Sequence, residues 1–346
     1  MIQADQRPSN EVADIPRKVA VTVTYGSRKN LLLAVLEDLR EFGLSRVIVV
    51  NNGALWDVHS ELSVLYQDFV DVIDLGSNSG SANGYACGIQ RACSSGADYV
   101  WLLDDDNRPD STTLPLLHDA LAREATRGGL DQTAVVAFRP EHQGDVAEGV
   151  DQYRVNPRRS SFAGFHVIDI WYKVWRRTPW GRPCVTNRLP RSVQLDAAPY
   201  SGLLLHRSLI ERIGLPRSDF VLYADDTEYS YRITRAGGSI FLITDALIED
   251  LESSWNIKQR FGNIFTVMLQ GAGDFRAFYG MRNRTFFDAH YLRANVLIFW
   301  LNRQVFMAIL YVLARLTGRM QRYRLLAAAV SDGLSGRLGL HSKFLL

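Results

Sequence analysis

Between Val19 and Asp106, four apolar runs (VAVTVTY, RVIVVNN, VDVIDL and YVWLLDDD) alternate with longer stretches of helical character. Those stretches are Lys29–Phe42, a short one near Glu61–Tyr66, and Gly84–Cys93. Continuous Val, Ile and Leu runs mark strands covered on both faces. Their alternation with helices predicts an open α/β sheet over residues 19–140. In such sheets ligands sit beyond the carboxyl ends of the strands. Here those ends read Thr24–Tyr25–Gly26, Asn51–Asn52–Gly53, Leu75–Gly76–Ser77–Asn78 and Asp104–Asp105–Asp106, so small, polar and acidic residues gather where a ligand would lie.

The alternation is lost over 140–195, where FAGFHVIDIWYKVWRRTPWGRP is rich in aromatic and basic residues and predicts an inserted, partly irregular segment. Order returns with APYSGLLLHRSLIERIGLP, a strand and a short helix. FVLYADDTEYSYRITRAGGSIFLI then reads as loop, helix closed by Gly237–Gly238, and strand. The reading is one domain over 19–288, preceded by a flexible polar stretch at 1–18 that lacks the apolar core of a secretory signal. Three cysteines, Cys87, Cys93 and Cys184, form no CxxC, so no disulfide framework or metal ribbon is expected and a reducing cytoplasm fits.

The net charge of +2 is a sum of opposites. Residues 289–346 hold seven Arg, Lys343 and the single acid Asp332, a net +7, whereas residues 1–288 carry −5. Over 291–330 the tail is mostly apolar, with Arg293, Arg303, Arg315, Arg319, Arg322 and Arg324, and predicts two amphipathic helices. Its uncharged stretches, Ala294–Asn302 and Gln304–Ala314, are shorter than the roughly 20 residues of a membrane span. The tail is therefore read either as an anchor at an anionic membrane surface or as helices packed on the body or on another subunit.

Three segments can carry chemistry. Asp104, Asp105 and Asp106 end an apolar strand, and carboxylates so close together call for a cation or strong donors; a solvated acidic turn is the plainer account. Asp225, Asp226 and Glu228 open a helix, where the D-x-x-E spacing suits a capping box, yet the surplus acid suits a general base. The loop Asn78–Ser79–Gly80–Ser81–Ala82–Asn83–Gly84 permits close backbone approach at a helix start. There is no GK[ST], no GxGxxG after the first strand, no HxxxH and no GxSxG, which leaves ATPase, dinucleotide, zincin and α/β-hydrolase readings without support.

In their order and spacing these pieces resemble the family 2 glycosyltransferases of the GT-A fold, from about Ala20 to Arg284. VTVTY with VVNNG is similar to that family's nucleotide pocket, NSGSANGYACGIQRA to its glycine-rich helix start, and WLLDDDNRPD to its DxD motif. YSGLLLHRSLIERIGLP with YADDTEYSYRITRAGG is similar to its acceptor loop and base segment. FYGMRNR, at Phe278–Arg284, resembles a Y-x-x-RN stretch of the rhamnosyl- and galactofuranosyltransferase branches. The resemblance implies a Rossmann-like, mixed, mainly parallel sheet flanked by helices, with a C-terminal helical extension over 289–346.

It further implies an inverting transfer from a UDP- or dTDP-linked sugar, assisted by Mn or Mg, with galactofuranose ahead of rhamnose as the sugar. The acceptor would be a hydroxyl of a lipid-linked or polysaccharide glycan, in surface-glycan assembly at the inner face of a bacterial membrane. Residue by residue, the resemblance assigns donor contacts to Thr24, Tyr25, Asn51, Asn52, Asn78, Gly80, Gly84, Asp104 and Asp105, and the metal to Asp106 with Asp104. Asp226 becomes the base and Asp225 its helper, with Tyr200, Ser201 and Gly202 on the acceptor side. Trp171 and Trp175 are candidates there too, or ordinary core aromatics. The family's A-x-V-x-H metal histidine is absent: the corresponding run is Ala246–Leu247–Ile248–Glu249–Asp250, where Asp250 or Glu249 would have to stand in. No nucleic-acid partner is expected, and a homo-oligomer is compatible. The competing readings are a sugar nucleotidyltransferase and a non-catalytic glycan-binding subunit of the same fold.

Overall fold

The computed structural model describes residues 15–181, 189–252, 264–271 and 273–344. The expectations for residues 1–14 and for Cys184 lie outside the described residues. The strands are β1 (Lys18–Gly26), β2 (Arg46–Ala54), β3 (Val70–Asp74), β4 (Tyr99–Asp104), β5 (Asn107–Pro109), β6 (Thr133–Phe138), β7 (Ser192–Leu195), β8 (Leu203–His206) and β9 (Ser239–Asp250). They form one sheet in the order β3-β2-β1-β4-β8-β6-β9-β5, with β7 on β9. The β1/β2, β1/β4, β2/β3 and β6/β9 pairs are parallel, and β8 is inserted antiparallel between β4 and β6. The result is the mixed, mostly parallel sheet flanked by helices that the sequence predicts.

The two-residue period of the strands sorts their side chains into two layers. Val19, Val21 and Val23 join a core with Tyr85 and Ile89 of the Ser81–Ser94 helix. Ala20, Val47 and Val49 join a second core with Leu32, Val35 and Leu36 of the Lys29–Leu39 helix. A Cβ at Gly88 would stand 2.4 Å from Val21 Cγ1, so glycine lets the Ser81–Ser94 helix settle directly on the sheet.

Register then gathers the site. Val23 lies beside Asp104, Thr24 beside Asn51 and Asn51 beside Asp74, which aligns the strand ends along one edge. Because β8 runs the other way, its start meets the end of β4, with Leu102 opposite Leu203 and Gly202 N–H donating to Leu102 O at 2.8 Å. The short β5 pairs with the end of β9, Asn107 opposite Asp250, which brings Asp250 against the acidic run.

Among its described residues the insertion contains four short helical turns, one of them Asp169–Trp175. The two tail helices form at Val296–Leu316 and Met320–Leu334. They share an apolar cluster with Phe278 and Met281 of the Asp274–Phe287 helix and with Phe162 and Phe165 of the insertion. The cluster therefore runs across residue 288, tying the tail to the body.

Candidate active site

A cavity of about 310 Å³ opens at the carboxyl edge of the sheet. Its wall includes Tyr25 and Arg28 from the end of β1, Asn52 from β2, Asn78, Gly80, Ser81 and Tyr85 from the loop and helix that follow β3, and Asp104, Asp105 and Asp106. Arg139, Asp250, Glu252, Tyr223, Phe275 and Arg276 close the far side.

The loop is shaped by reciprocal amide bonds. Asn52 Nδ2 donates to Asn78 Oδ1 at 3.1 Å, and Asn52 Oδ1 accepts from Ser79 N–H at 2.8 Å. A Cβ on Gly53 would come within 2.6 Å of Asn78 N, and one on Gly80, whose φ is +89°, within 2.0 Å of Val221 O. Asn51 and Thr24 are buried beneath this wall and do not line it. Asn51 instead accepts from Ala54 N–H and donates to Asp74, and Gly84 packs on Val23. Among the expected donor contacts, then, Tyr25, Asn52, Asn78, Gly80, Asp104 and Asp105 face the cavity, while Thr24, Asn51 and Gly84 hold the wall behind it.

The three aspartates have distinct environments. Asp104 accepts hydrogen bonds from Tyr85 Oη at 2.7 Å and from the Ser201 hydroxyl. Asp105 is buried; desolvation pushes its pKa up to about 7 against the pull of Arg28 and Thr24. Asp106 is raised as well, by burial and by the charge of Asp104. Arg28 bridges the cluster, with Nε to Asp105 at 2.7 Å, Nη2 to Asp106 at 2.8 Å and Nη1 to Glu252.

Asp250 accepts from Arg139 Nη2 at 2.6 Å, from Asn107 Nδ2 at 2.8 Å and from His142 Nε2 at 2.8 Å. Burial opposes its charge, but His142 and Arg139 outweigh it and hold the carboxyl below the usual range. Protein donors thus reach the oxygens of Asp104, Asp106 and Asp250, and the most weakly held of them is Asp106 Oδ1, 3.5 Å from Asn107 Nδ2, on an acid that lines the cavity. A hard divalent cation is commonly held by one or two carboxylates plus substrate phosphates, and Asp106 fits that donor set. Glu249 lies on the opposite side of β9 from Asp250, opposite Arg108, and does not line the cavity. Its alternative role as a ligand fails on strand alternation alone.

The Asp225–Arg235 helix is not closed by the capping box its sequence suggests. Ala224, in the left-handed region, occupies the cap position without a side-chain bond. Asp225 instead accepts from Ser81 Oγ at 3.0 Å, and Glu228 pairs with Arg232 and with Tyr291 Oη. Asp226 accepts from Thr227 N–H at 2.6 Å and lies within electrostatic reach of Asp104 and Arg139. Burial raises both acids, and the charge of Asp226 helps drive Asp225 to about 8. At neutral pH Asp225 therefore largely keeps its proton.

This has a stability consequence with a defined sign. A folded pKa raised from 3.8 to about 8 means that the folded state holds a proton the unfolded chain has lost, so stability falls as pH rises from about 4 to about 8 and is level above. Asp225→Asn copies the protonated side chain. Urea unfolding between pH 5 and 8 should show a shallower decline for this variant than for the wild type; equal slopes would contradict the assignment.

The backbone before this helix is strained. Val221 has φ 66° and ψ −67°, with Leu222 N–H donating to Phe220 O at 2.8 Å, a γ-turn of the rare positive-φ kind. Tyr223 and Ala224 follow at φ 68° and 58°. Asn283 Nδ2 spans the carbonyls of Phe220 at 2.6 Å, Leu222 at 2.7 Å and Tyr223 at 3.0 Å, and the buried Arg282 donates to Asn283 Oδ1 and to Gly339 O. The R-N pair of FYGMRNR is thus a clamp on the turn that presents Asp225 and Asp226.

Of the acceptor-side candidates, Tyr200 is buried with its ring 4.1 Å from that of Tyr85, Ser201 holds Asp104, and Gly202 meets Ala137 and Ile248. They support the cavity from behind. Trp171 and Trp175 lie on the exposed Asp169–Trp175 helix and do not line it. Arg28, Tyr85, Arg139, His142 and Arg276 are site residues that sequence reasoning did not single out. Arg139 follows the end of β6 directly, so the strand-end rule applied once more would have found it.

A family model described as glycosyl transferase family 2 matches residues 19–173. The galactofuranosyltransferase GlfT1 of Mycolicibacterium smegmatis is 26% identical over 172 residues, which covers 46% of this chain and 46% of that protein, so the chain spans under half the length of this relative. A crystal structure of GalNAc-T7 with UDP, GalNAc and Mn2+ matches in fold with a TM-score of 0.51 at 13% identity, over 79% of this chain and 48% of that one. The matched residues 19–173 contain the ends of β1, β2 and β4 that build the cavity, so over this stretch the chain is similar to glycosyltransferase family 2, and it resembles the galactofuranosyltransferase-like branch.

Proposed function

We propose that the chain is an inverting, metal-dependent glycosyltransferase that moves galactofuranose from UDP-galactofuranose to a hydroxyl of a lipid-linked or polysaccharide acceptor in bacterial surface-glycan assembly, working on the cytoplasmic side. Rhamnose from a dTDP-linked donor is the second choice of substrate. The observation that carries the reading is convergence. One cavity receives the exposed ring of Tyr25, the amides of Asn52 and Asn78, the tight Gly80–Ser81 helix start and three adjacent aspartates, with Asp226 outside its lining but within electrostatic reach of Asp104.

In this reading the Tyr25 face and the two amides take the nucleoside, and Asp104 meets the ribose. The helix start and Arg28, Arg139 and Arg276 surround the diphosphate with positive charge. A divalent cation held by Asp106 would neutralise charge on the departing diphosphate. Asp226 removes the proton from the attacking acceptor hydroxyl, and a single displacement inverts the anomeric carbon. Asp225, neutral, orients the acceptor without competing for the proton.

The test is a panel of nucleotide sugars offered to the purified protein with Mn or Mg. Release of nucleoside diphosphate, fastest from UDP-galactofuranose, is expected. Release of pyrophosphate would point to nucleotidyl transfer, and turnover of none of the panel to a binding subunit.

A further inference from the structure

A single guanidinium neutralises three carboxylates in the cavity wall. Arg28 turns Nε to Asp105, Nη2 to Asp106 and Nη1 to Glu252, so each nitrogen of its fork holds a different acid. Arg139 is committed to Asp250, and Arg276 comes from the Asp274–Phe287 helix. Among the described residues the wall carries five carboxylates, Asp104, Asp105, Asp106, Asp250 and Glu252, against these three guanidiniums, a formal excess of two negative charges. One divalent cation balances that excess.

The three contacts of Arg28 are graded. The side chain of Asp105 is 3% exposed, that of Asp106 18% and that of Glu252 42%. The backbone of Arg28 is fixed where it opens the Lys29–Leu39 helix, its carbonyl accepting from Leu32 N–H at 3.1 Å, so any exchange of partners falls to the side chain. Ion pairs strengthen with burial and weaken as water screens them. The Nε contact to Asp105 is therefore the pivot, and the Nη end, on Asp106 and Glu252, is the part that exchanges.

Asp106 is also the acid whose donor set suits a divalent cation, and Arg28 Nη2 holds its Oδ2 at 2.8 Å. Two cationic centres on one carboxylate repel each other, and a largely buried wall screens that repulsion poorly. We infer that Arg28 is an internal counter-ion: it and the divalent cation are alternative partners of Asp106, and the diphosphate of the donor settles the competition by drawing the Nη end off Asp106 and Glu252. A guanidinium fork suits phosphate oxygens as well as carboxylate oxygens, so the exchange leaves no charge unpaired. Cation and nucleoside diphosphate then bind as a coupled pair, and a cation alone is held weakly. The inference rests on the reading that the cavity takes a nucleoside diphosphate with a divalent cation, and it concerns their binding rather than the transfer step.

Titration calorimetry of the full chain with MnCl2, first without nucleotide and then with UDP present, is the test. Arg28→Gln should bind Mn2+ alone at least about tenfold tighter than the wild type, because the competing charge is gone, and UDP should tighten Mn2+ binding by a smaller factor in the variant. Arg28→Lys, which keeps the positive charge, should bind Mn2+ alone within about threefold of the wild type. Mn2+ binding by Arg28→Gln that is no tighter than in the wild type would overturn the proposal, as would equal tightening by UDP in the two proteins. If circular dichroism shows Arg28→Gln unfolded, the same comparison is made between Asp105→Asn and Asp105→Asn with Arg28→Gln, where the most buried of the three acids no longer needs a counter-ion. Should these titrations come out as expected while no nucleotide sugar releases a nucleoside diphosphate, the transfer reading fails and the counter-ion role of Arg28 stands.

Discussion

Asp226→Asn is expected to lower kcat by about 10³-fold while leaving the KM for the nucleotide sugar nearly unchanged, because a general base contributes in the transition state and not to donor binding. The structure gives the substitution a specific meaning. Burial raises the pKa values of both Asp225 and Asp226, and Asp225, pushed to about 8, is largely protonated at pH 7. Asp225→Asn copies the protonated side chain, so with Asp226 as the base it should keep activity within about fivefold at pH 7 where Asp226→Asn loses it. Steady-state kinetics of both variants at saturating acceptor checks this. Comparable losses, or a larger one in Asp225→Asn, would exchange the two roles.

Asn283→Ala should be nearly as damaging from outside the cavity. Three of the four consecutive residues 221–224, Val221, Tyr223 and Ala224, hold positive φ, at a typical cost of about 1–3 kcal/mol each. The Asn283 amide anchors the carbonyls of that turn, and removing it takes the side-chain donor from the part-buried carbonyls of Leu222 and Tyr223, about 1–3 kcal/mol per group, while Phe220 O keeps the Leu222 N–H. Freed from the clamp, the turn relaxes and Asp226 shifts with it, and a displacement of about 1 Å is enough to cost on the order of 10²-fold in rate. The expected outcome is a folded protein, destabilised by about 3 kcal/mol in urea, with kcat reduced on the order of 10²-fold and donor binding by titration little changed. Full activity in a destabilised variant would show that the clamp serves the fold alone.

The strand ends were legible in the sequence because a parallel strand declares itself by a continuous apolar run, and whatever polar residues follow must lie at its carboxyl edge. That rule places Tyr25, Asn52, Asn78 and Asp104 to Asp106 together, and they line one cavity. It could not separate Asn51 from Asn52, since adjacent residues on a strand face opposite ways and only the register says which way is out. The direction of β8 was also hidden: LLLH is four residues long and reads the same parallel or antiparallel, yet its reversal is what delivers Ser201 to Asp104.

The acidic helix start was misread as a possible capping box because D-x-x-E spacing assumes that Asp225 holds the cap position. The strained turn gives that position to Ala224 and frees Asp225 for Ser81. Arg28, which ties Asp105, Asp106 and Glu252 together, and the clamp formed by Arg282 and Asn283 act across separations of tens to hundreds of residues, which local spacing does not encode. The tryptophans of the insertion were assigned to an acceptor or to core by composition. The structure shows Trp171, Trp175 and Trp180 exposed instead, outside both the core and the cavity lining.

The central claim is that this cavity transfers a sugar by one displacement with Asp226 as base. The most direct measurement is the anomeric configuration of the glycosylated product, read by NMR from a reaction of the purified chain with UDP-galactofuranose and a hydroxyl acceptor. The account predicts a product inverted relative to the donor, formed with one equivalent of nucleoside diphosphate. A product that retains the donor configuration would contradict it.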